Sequence, residues 1–270
     1  RHVSWTFRKA PKFFDVVTYT GDGTNGRSIS HNLGSAPGCV VIKRTSATEN
    51  WILYHRSLAS NKMLTLNTNS ATTSSAVAFD TSLMTSTTFG VQNDSSSNAS
   101  GSTYVAYLWA HNNGDGEFGP TGDQDIIKCG TYTGSNSSNG PIIDLGFEPQ
   151  WIFTKRAGQT WGGNGYLWDT MRGLTADGQT DHYLSPSRSD AEDGSLNYIS
   201  VLPNGFQVHA TSGHVNAPDP YIYIAIRRGS LFPPESATDV FNVTETNAGF
   251  TTKITTGFAV DTQLATATSQ

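Results

Sequence analysis

The chain has 270 residues, a formal net charge of −5 and only 14% charged residues. Its 17 lysines and arginines are scattered, which excludes the basic stripe of a nucleic-acid-binding surface. No apolar run reaches the roughly 18 residues that a membrane-spanning helix needs, so we expect no membrane insertion.

Short β-branched and aromatic runs alternate with turn residues along the whole chain, which predicts an all-β protein. In chain order, the first seven strands are predicted at residues 15–20, 27–32, 39–44, 51–55, 63–67, 89–92 and 104–110. The apolar run at 39–44 ends in a Lys-Arg pair and predicts a central strand that is covered on both faces. About seven short strands with turns between them are typical of an antiparallel β-sandwich.

A set of short motifs occurs twice in the same order. Residues 33–44, which contain Leu-Gly, Pro and Lys-Arg, return at 145–156, an offset of 112 positions. The closing segments align Tyr104 with Tyr223, an offset of 119 positions. A constant order with a slowly growing offset predicts tandem β-sandwich repeats, with loop insertions in the second copy.

The two ends of the chain fit the same pattern. The segment from Trp5 to Lys9 is similar in sequence to the closing strand at 224–228, and Thr256-Gly257-Phe258 aligns with residues 145–147. We therefore expect this chain to be part of a longer array. The predicted units are the end of a preceding unit at 1–14, repeats at 15–111 and 125–229, a Gly-rich linker at 112–124, and a linker with the start of a third unit at 230–270.

The joined motifs resemble a known family. FFDVVTYTG, SHNLG, VIKR, YHRSL and YVAYLWAHN in the first copy, with DIIKCGTYTG in the second, are similar to a repeated domain of uncharacterised function. That domain occurs in tail-fibre-like virion proteins of marine tailed bacteriophages. The resemblance covers essentially the whole chain. It implies a non-enzymatic structural protein on the virion surface, extracellular, which contacts other virion subunits and attaches to the host.

A homotrimer is the expected assembly, because chains wound together cover their exposed strand edges. A carbohydrate-binding module of a larger adhesin is the alternative function. A polysaccharide depolymerase, with acids such as Asp190 and Glu192 in a cleft, is a further alternative.

Aromatic residues give the lead to a host glycan, because sugar sites stack pyranose rings on aromatic faces. Trp161 lies in an insertion that only the second copy carries, and binding residues concentrate in loops. We name Trp161, Asn164, Tyr166 and Trp168 as candidate glycan-binding residues. Core packing is the alternative, particularly for aromatic residues that recur in both copies.

The linker contains a candidate calcium loop. Asn113, Asp115 and Glu117 supply oxygen ligands at alternate positions, although the pattern of an EF-hand is not completed. A simple Asp-Gly turn without an ion is the alternative. No other cofactor is predicted.

Two further patterns are interpreted as structural. The G-x-G-x-x-G of residues 21–26 precedes a predicted strand rather than a helix, so we interpret it as a hairpin loop and not as a dinucleotide site. Cys39 and Cys129 fall at non-equivalent positions of the two copies, so we expect free, half-buried thiols, with a single disulfide bridge as the alternative.

Overall fold

A computed structural model describes most of the chain. The described residues are 2–60, 62–70, 72, 78–158, 163–176, 181–194, 196–209 and 213–229, with two further strands at Phe241–Thr246 and Thr262–Ala267. Within them the only helical segments are two short 3-10 turns, Thr81–Leu83 and Thr170–Arg172. None of the described helices is long and apolar enough to cross a membrane. The all-β prediction is confirmed.

The described part of the chain contains eighteen strands. They are β1 (His2–Phe7), β2 (Phe14–Thr20), β3 (Arg27–Ser30), β4 (Cys39–Arg44), β5 (Ile52–His55), β6 (Leu64–Thr65), β7 (Phe79–Asp80), β8 (Thr88–Val91), β9 (Thr103–Trp109), β10 (Ile127–Thr133), β11 (Ile142–Asp144), β12 (Pro149–Arg156), β13 (Gly165–Asp169), β14 (Ile199–Leu202), β15 (Gly205–Val208), β16 (Pro220–Arg227), β17 (Phe241–Thr246) and β18 (Thr262–Ala267).

The first half of the chain forms two antiparallel sheets with the strand orders β2-β9-β4-β5-β6 and β3-β8-β7. Strand β4 lies between β9 and β5, as its unbroken apolar run predicts. Tyr19 of β2 stacks on Tyr104 of β9 and meets Phe89 of β8 edge-on, so the two sheets face each other as in a sandwich.

The second half forms two sheets in a similar order, β10-β16-β12-β13 and β11-β15-β14. Tyr132 pairs with Tyr221 as Tyr19 pairs with Tyr104, and the rings stack in both pairs. Tyr104 therefore corresponds to Tyr221, an offset of 117 positions, and its alignment with Tyr223 was wrong by two residues. A two-residue shift in a strand keeps the same face, so the sequence pattern could not reveal it. That the halves descend from one duplicated unit stays a prediction.

The two ends of the chain pair with each other. Strand β1 lies between β17 and β18, antiparallel to both, in a third sheet. This order matches that of the two large sheets, in which β9 lies between β2 and β4, and β16 lies between β10 and β12. The end segments, which read as pieces of two neighbouring units, therefore contribute to one sheet.

Glycine-rich loops connect the sheets within each half. Residues 21–26 join β2 to β3, which lie in different sheets, so the hairpin interpretation of this loop was wrong. A strand does follow the loop, as expected. Buried Asn98 holds it by donating from Nδ2 to the Thr24 carbonyl oxygen (2.8 Å), and Asn216 binds the Ser137 carbonyl oxygen in the equivalent loop (2.7 Å).

One hydrophobic core contains residues of both halves, and a second core belongs to the second half alone, so the halves are not separate beads. The face of the first large sheet that carries Trp109 packs against the face of the second that carries Trp151. Phe7 of β1 stands between them, with its ring 5.9 Å from each indole at near-perpendicular angles. Phe7 also packs at 5.2 Å from Phe14, and its side chain is fully buried.

We predict that Phe7→Ala destabilises the protein by about 3–5 kcal/mol, because the removed ring leaves a cavity where three sheets meet. Guanidinium denaturation measures this change. Met171→Ala is the control, since Met171 is 69% exposed and its truncation should cost less than about 0.5 kcal/mol. Equal losses in the two variants would contradict the central position of Phe7.

Candidate functional site

The structure places the predicted glycan-binding residues in different environments. Trp161 lies outside the described residues. Tyr166 and Trp168 lie on β13 and are 1% and 0% exposed, in the core of the second half. Their rings pack against Tyr183, so neither offers a free face to a sugar, and core packing accounts for both. Asn164 is partly buried and its Oδ1 accepts a hydrogen bond from the Ser187 hydroxyl (3.0 Å).

A lysine from outside the linker pairs with both acids of the candidate calcium loop. The Lys12 ammonium lies 3.2 Å from Asp115 Oδ2 and 3.6 Å from Glu117 Oε1. The other Asp115 oxygen accepts a hydrogen bond from the Asn113 amide. Among the described residues no group of three or more His, Cys, Asp or Glu side chains is arranged to hold a metal ion. The geometry is therefore that of a closed turn whose counter-charge is Lys12.

The acids of the depolymerase alternative are engaged in ion pairs and a hydrogen bond. Asp190 pairs with Arg188, and Glu192 lies 3.1 Å from an Arg172 nitrogen. The neighbouring Asp193 accepts a hydrogen bond from the Tyr183 hydroxyl. The Glu192 contact ties the segment 181–194 to Arg172, and the contacts of Asp190 and Asp193 lie within the segment.

Both cysteines are free and fully buried, rather than half-buried as expected. The Cys129 thiol donates to the Ala110 carbonyl oxygen at 3.3 Å. Burial raises the pKa of both thiols well above the usual range. They therefore stay protonated and unreactive in the folded protein.

Equivalent positions at the ends of β5 and β13 hold His55 and Asp169, which both fix the turn that follows. His55 Nδ1 accepts from the Ser57 amide, so Nε2 carries the proton and donates to the Tyr223 carbonyl oxygen (3.1 Å) in the other half. Burial lowers the pKa of His55 to about 3. Asp169 accepts from Arg172 Nε (2.6 Å) and from the Trp5 indole (3.0 Å).

Lys155 also joins the halves. Its ammonium is buried and donates to the carbonyl oxygens of Thr68 (2.7 Å) in the first half and Gly163 in the second. Burial lowers its pKa to about 8. Lys43, at the equivalent position of β4, donates to the Glu49 carbonyl oxygen. The recurrent Lys-Arg motif thus serves to hold loops.

The most distinctive feature between the halves is a cavity of about 290 Å³. It lies where the two large sheets face each other, and four tryptophans line it. They are Trp5, Trp51, Trp109 and Trp151, each from a different strand or strand end. Apart from the side chains of Asn67 and Ser185, the other lining residues are aliphatic, aromatic or proline.

The polar groups in the wall of this cavity fall into two kinds. Asn67 Oδ1 accepts from the Trp51 amide and its Nδ2 donates to Asn50, while the Ser185 hydroxyl is bonded to Ser187. By contrast, the indole N–H groups of Trp109 and Trp151 are buried and have no hydrogen-bond partner among the described residues. Both nitrogens have almost no accessible surface, so neither N–H group faces the cavity, which is lined by other atoms of these two rings.

Sequence reasoning missed this cavity because its lining comes from three different sheets. The available signal was the bulky residue at alternate positions of the closing strands, Trp5 and Phe7 in β1 and Tyr107 and Trp109 in β9. That alternation places the bulky rings of each strand on one of its two faces. It does not indicate that the three faces meet around one space.

Comparison with known proteins identifies the family but assigns no activity. Residues 8–228 match the family described as Domain of unknown function (DUF7483), and the chain belongs to that family. The match spans both halves of the described structure. No curated protein and no solved structure matches the chain.

We predict that calcium does not raise the melting temperature of the wild-type protein and that EDTA does not lower it, because the Lys12 ammonium already pairs with both Asp115 and Glu117 and would repel the ion. Lys12→Gln removes that charge and should create a weak, millimolar stabilisation by calcium. Differential scanning fluorimetry with and without calcium measures both effects. A calcium-dependent rise in the wild type would instead support an ion site in this loop.

We predict that the buried, neutral state of His55 makes stability depend on pH. Below pH 6.5 the unfolded chain binds a proton at this position, whereas folded His55 stays neutral until its pKa of about 3. The free energy of unfolding should therefore fall as the pH falls through this window, by up to about 1.4 kcal/mol per pH unit from this group.

Urea denaturation across this pH range checks the contribution of His55. His55→Gln, whose amide can still donate to the Tyr223 carbonyl oxygen, should show a smaller slope of stability against pH than the wild type. His182→Gln is the matched control, because His182 is exposed, and it should keep the wild-type slope. An unchanged slope in His55→Gln would contradict the assignment.

Proposed function

We propose that this chain is a non-enzymatic structural segment of a phage virion appendage of the tail-fibre type. The proposal places it on the particle surface, in contact with other virion subunits and with the host surface. Its sequence motifs supply the link to virion proteins through the resemblance described above. The family to which it belongs has no assigned function.

The hydrogen bonds of the buried polar side chains support the non-enzymatic part of the proposal. His55, Lys155 and Asp169 are each bonded to a backbone or side-chain partner that fixes a loop or joins two sheets. A catalytic acid or base must reach a substrate, whereas these three side chains are buried. Buried groups that are already engaged in such bonds hold the fold rigid and are not available to react with a substrate.

The architecture also suits a protein that works mechanically. The two halves share a core, and the terminal strands pair with each other, so unfolding either half breaks contacts of the other. Such mutual support slows local opening, through which proteases attack. A homotrimer, which would cover exposed strand edges, remains part of the proposal.

Immunogold electron microscopy of phage particles that encode this chain tests the proposal. Antibodies raised against the folded chain should label the fibres or appendages of intact virions. Pre-incubating host cells with the purified chain should reduce phage adsorption if the segment contacts the host. Label that is found only in infected-cell lysate, and never on purified particles, would overturn the virion assignment.

A second assay separates this proposal from the depolymerase alternative. Purified chain is incubated with host capsular polysaccharide, and new reducing ends are measured. We expect no release above that of a heat-denatured sample. Release that is lost in Glu192→Gln but kept in Glu148→Gln, an exposed acid elsewhere, would show an enzyme and contradict the proposal.

A further inference from the structure

The sheet that contains β17, β1 and β18 joins the two ends of the described chain. All six residues of β1 are in antiparallel register with β17 on one side and with β18 on the other. Among the described strands, β17 and β18 pair with β1 and with no other strand. We call β17 and β18 together the C-terminal clamp. Within the described part of the chain, the backbone pairing of this clamp therefore depends on one strand.

Strand β1, by contrast, is fixed in the core of the two halves. The Phe7 ring packs against the indoles of Trp109 and Trp151. The Trp5 indole donates to Asp169 Oδ2 at 3.0 Å. None of these contacts involves the C-terminal clamp. Strand β1 is therefore held on the two halves independently of the strands that cover its edges.

The third sheet differs from the two large sheets in the source of its central strand. β9 lies between β2 and β4 and follows both in the chain, and β16 follows β10 and β12 in the same way. In the third sheet the central strand β1 instead precedes both outer strands and comes from the opposite end of the described chain. The clamp can therefore make the same backbone hydrogen bonds with β1 of its own copy or with β1 of another copy.

The segment between the second half and the clamp is long enough for such an exchange. Residues 228–240 separate β16 from β17. A fully extended segment of this length spans about 45 Å, at roughly 3.3–3.6 Å per residue. This reach is more than twice the radius of gyration of about 18 Å that is expected for a compact chain of this size. A neighbouring copy therefore lies within reach of the clamp.

We propose that the C-terminal clamp of one copy pairs with β1 of a second copy, so that reciprocal exchange joins two copies through two composite sheets. An uncovered β1 would leave backbone N–H and C=O groups unpaired on both edges, and such edges pair with other chains. The exchanged pair contains the same strand pairings as a single copy, so concentration sets the balance. The proposal depends on strand topology alone and is independent of the virion role proposed above.

Cysteine cross-linking between two differently marked copies tests the exchange. One copy carries Ser4→Cys and the other carries Thr244→Cys, because Ser4 and Thr244 are register partners. Opposed residues of antiparallel strands lie about 4.5–5.5 Å apart between Cα atoms, which a disulfide can bridge. Equal amounts of the two copies are mixed in urea with a reductant and returned to buffer. The folded mixture is then oxidised with glutathione disulfide.

We expect a disulfide-linked pair that contains one of each copy. A link of this length gives the clamp of the same copy an effective concentration on the order of millimolar. The linked pair should therefore be at least tenfold more abundant after folding at about 1 mM chain than at about 1 µM chain. Non-reducing electrophoresis measures the yield, and mass spectrometry of tryptic peptides identifies the linked cysteines.

Two further variants serve as controls. Ser4→Cys and Thr244→Cys in one chain should form an internal disulfide at about 1 µM, which tests the register within one copy. Ser4→Cys mixed with Thr246→Cys is the off-register control, since Thr246 is the register partner of His2. Diagonal neighbours lie about 7–8 Å apart, beyond the usual Cα separation of a disulfide, so this mixture should give little linked product.

The native thiols of Cys39 and Cys129 are buried and do not compete in the folded chain. Near-UV circular dichroism confirms that each variant is folded. The proposal is overturned if the double variant does not close internally, or if it closes while the mixed copies give no linked product at about 1 mM. Equal yields from the on-register and off-register mixtures would also overturn it, because they would indicate random collision.

Discussion

The fold depends on the meeting of three sheet faces around Phe7. This ring comes from the N-terminal strand and touches Trp109 of the first half and Trp151 of the second. Because protein interiors are close-packed, a side chain in such a position fixes the relative placement of every sheet it contacts. The shared core, the bonds between the halves and the cavity all exist because these three faces are held together.

Hydrogen bonds between the three sheets add a preferred alignment to their apolar packing. His55 reaches the backbone of Tyr223, Lys155 reaches the backbone of Thr68, and the Trp5 indole reaches Asp169. Apolar packing is nearly indifferent to small slips of one sheet on another, whereas a buried donor that loses its acceptor costs about 1–3 kcal/mol. These bonds therefore select one alignment of the sheets.

The strands of the first half were largely predictable because their signals are local. Alternation and apolar runs marked β2 to β6, β8 and β9 within a residue or two, and the short β7 at Phe79 was missed. The candidate site was less predictable. Tyr166 and Trp168 carry the side chains of a sugar-binding surface, yet β13 directs them into the core. Composition identifies an aromatic ring but not the side of the sheet to which it points.

The sequence by itself determined the all-β class, the order of the motifs in the two halves, and the likeness of the end segments to parts of a unit, since these depend on short stretches of chain. Only the tertiary structure decided that β1 lies between β17 and β18, that Tyr104 corresponds to Tyr221, and that the tryptophans surround one cavity. Strand side chains repeat every two residues, so a sequence defines two faces for each strand. Which faces meet is settled by packing between residues that are far apart in the chain.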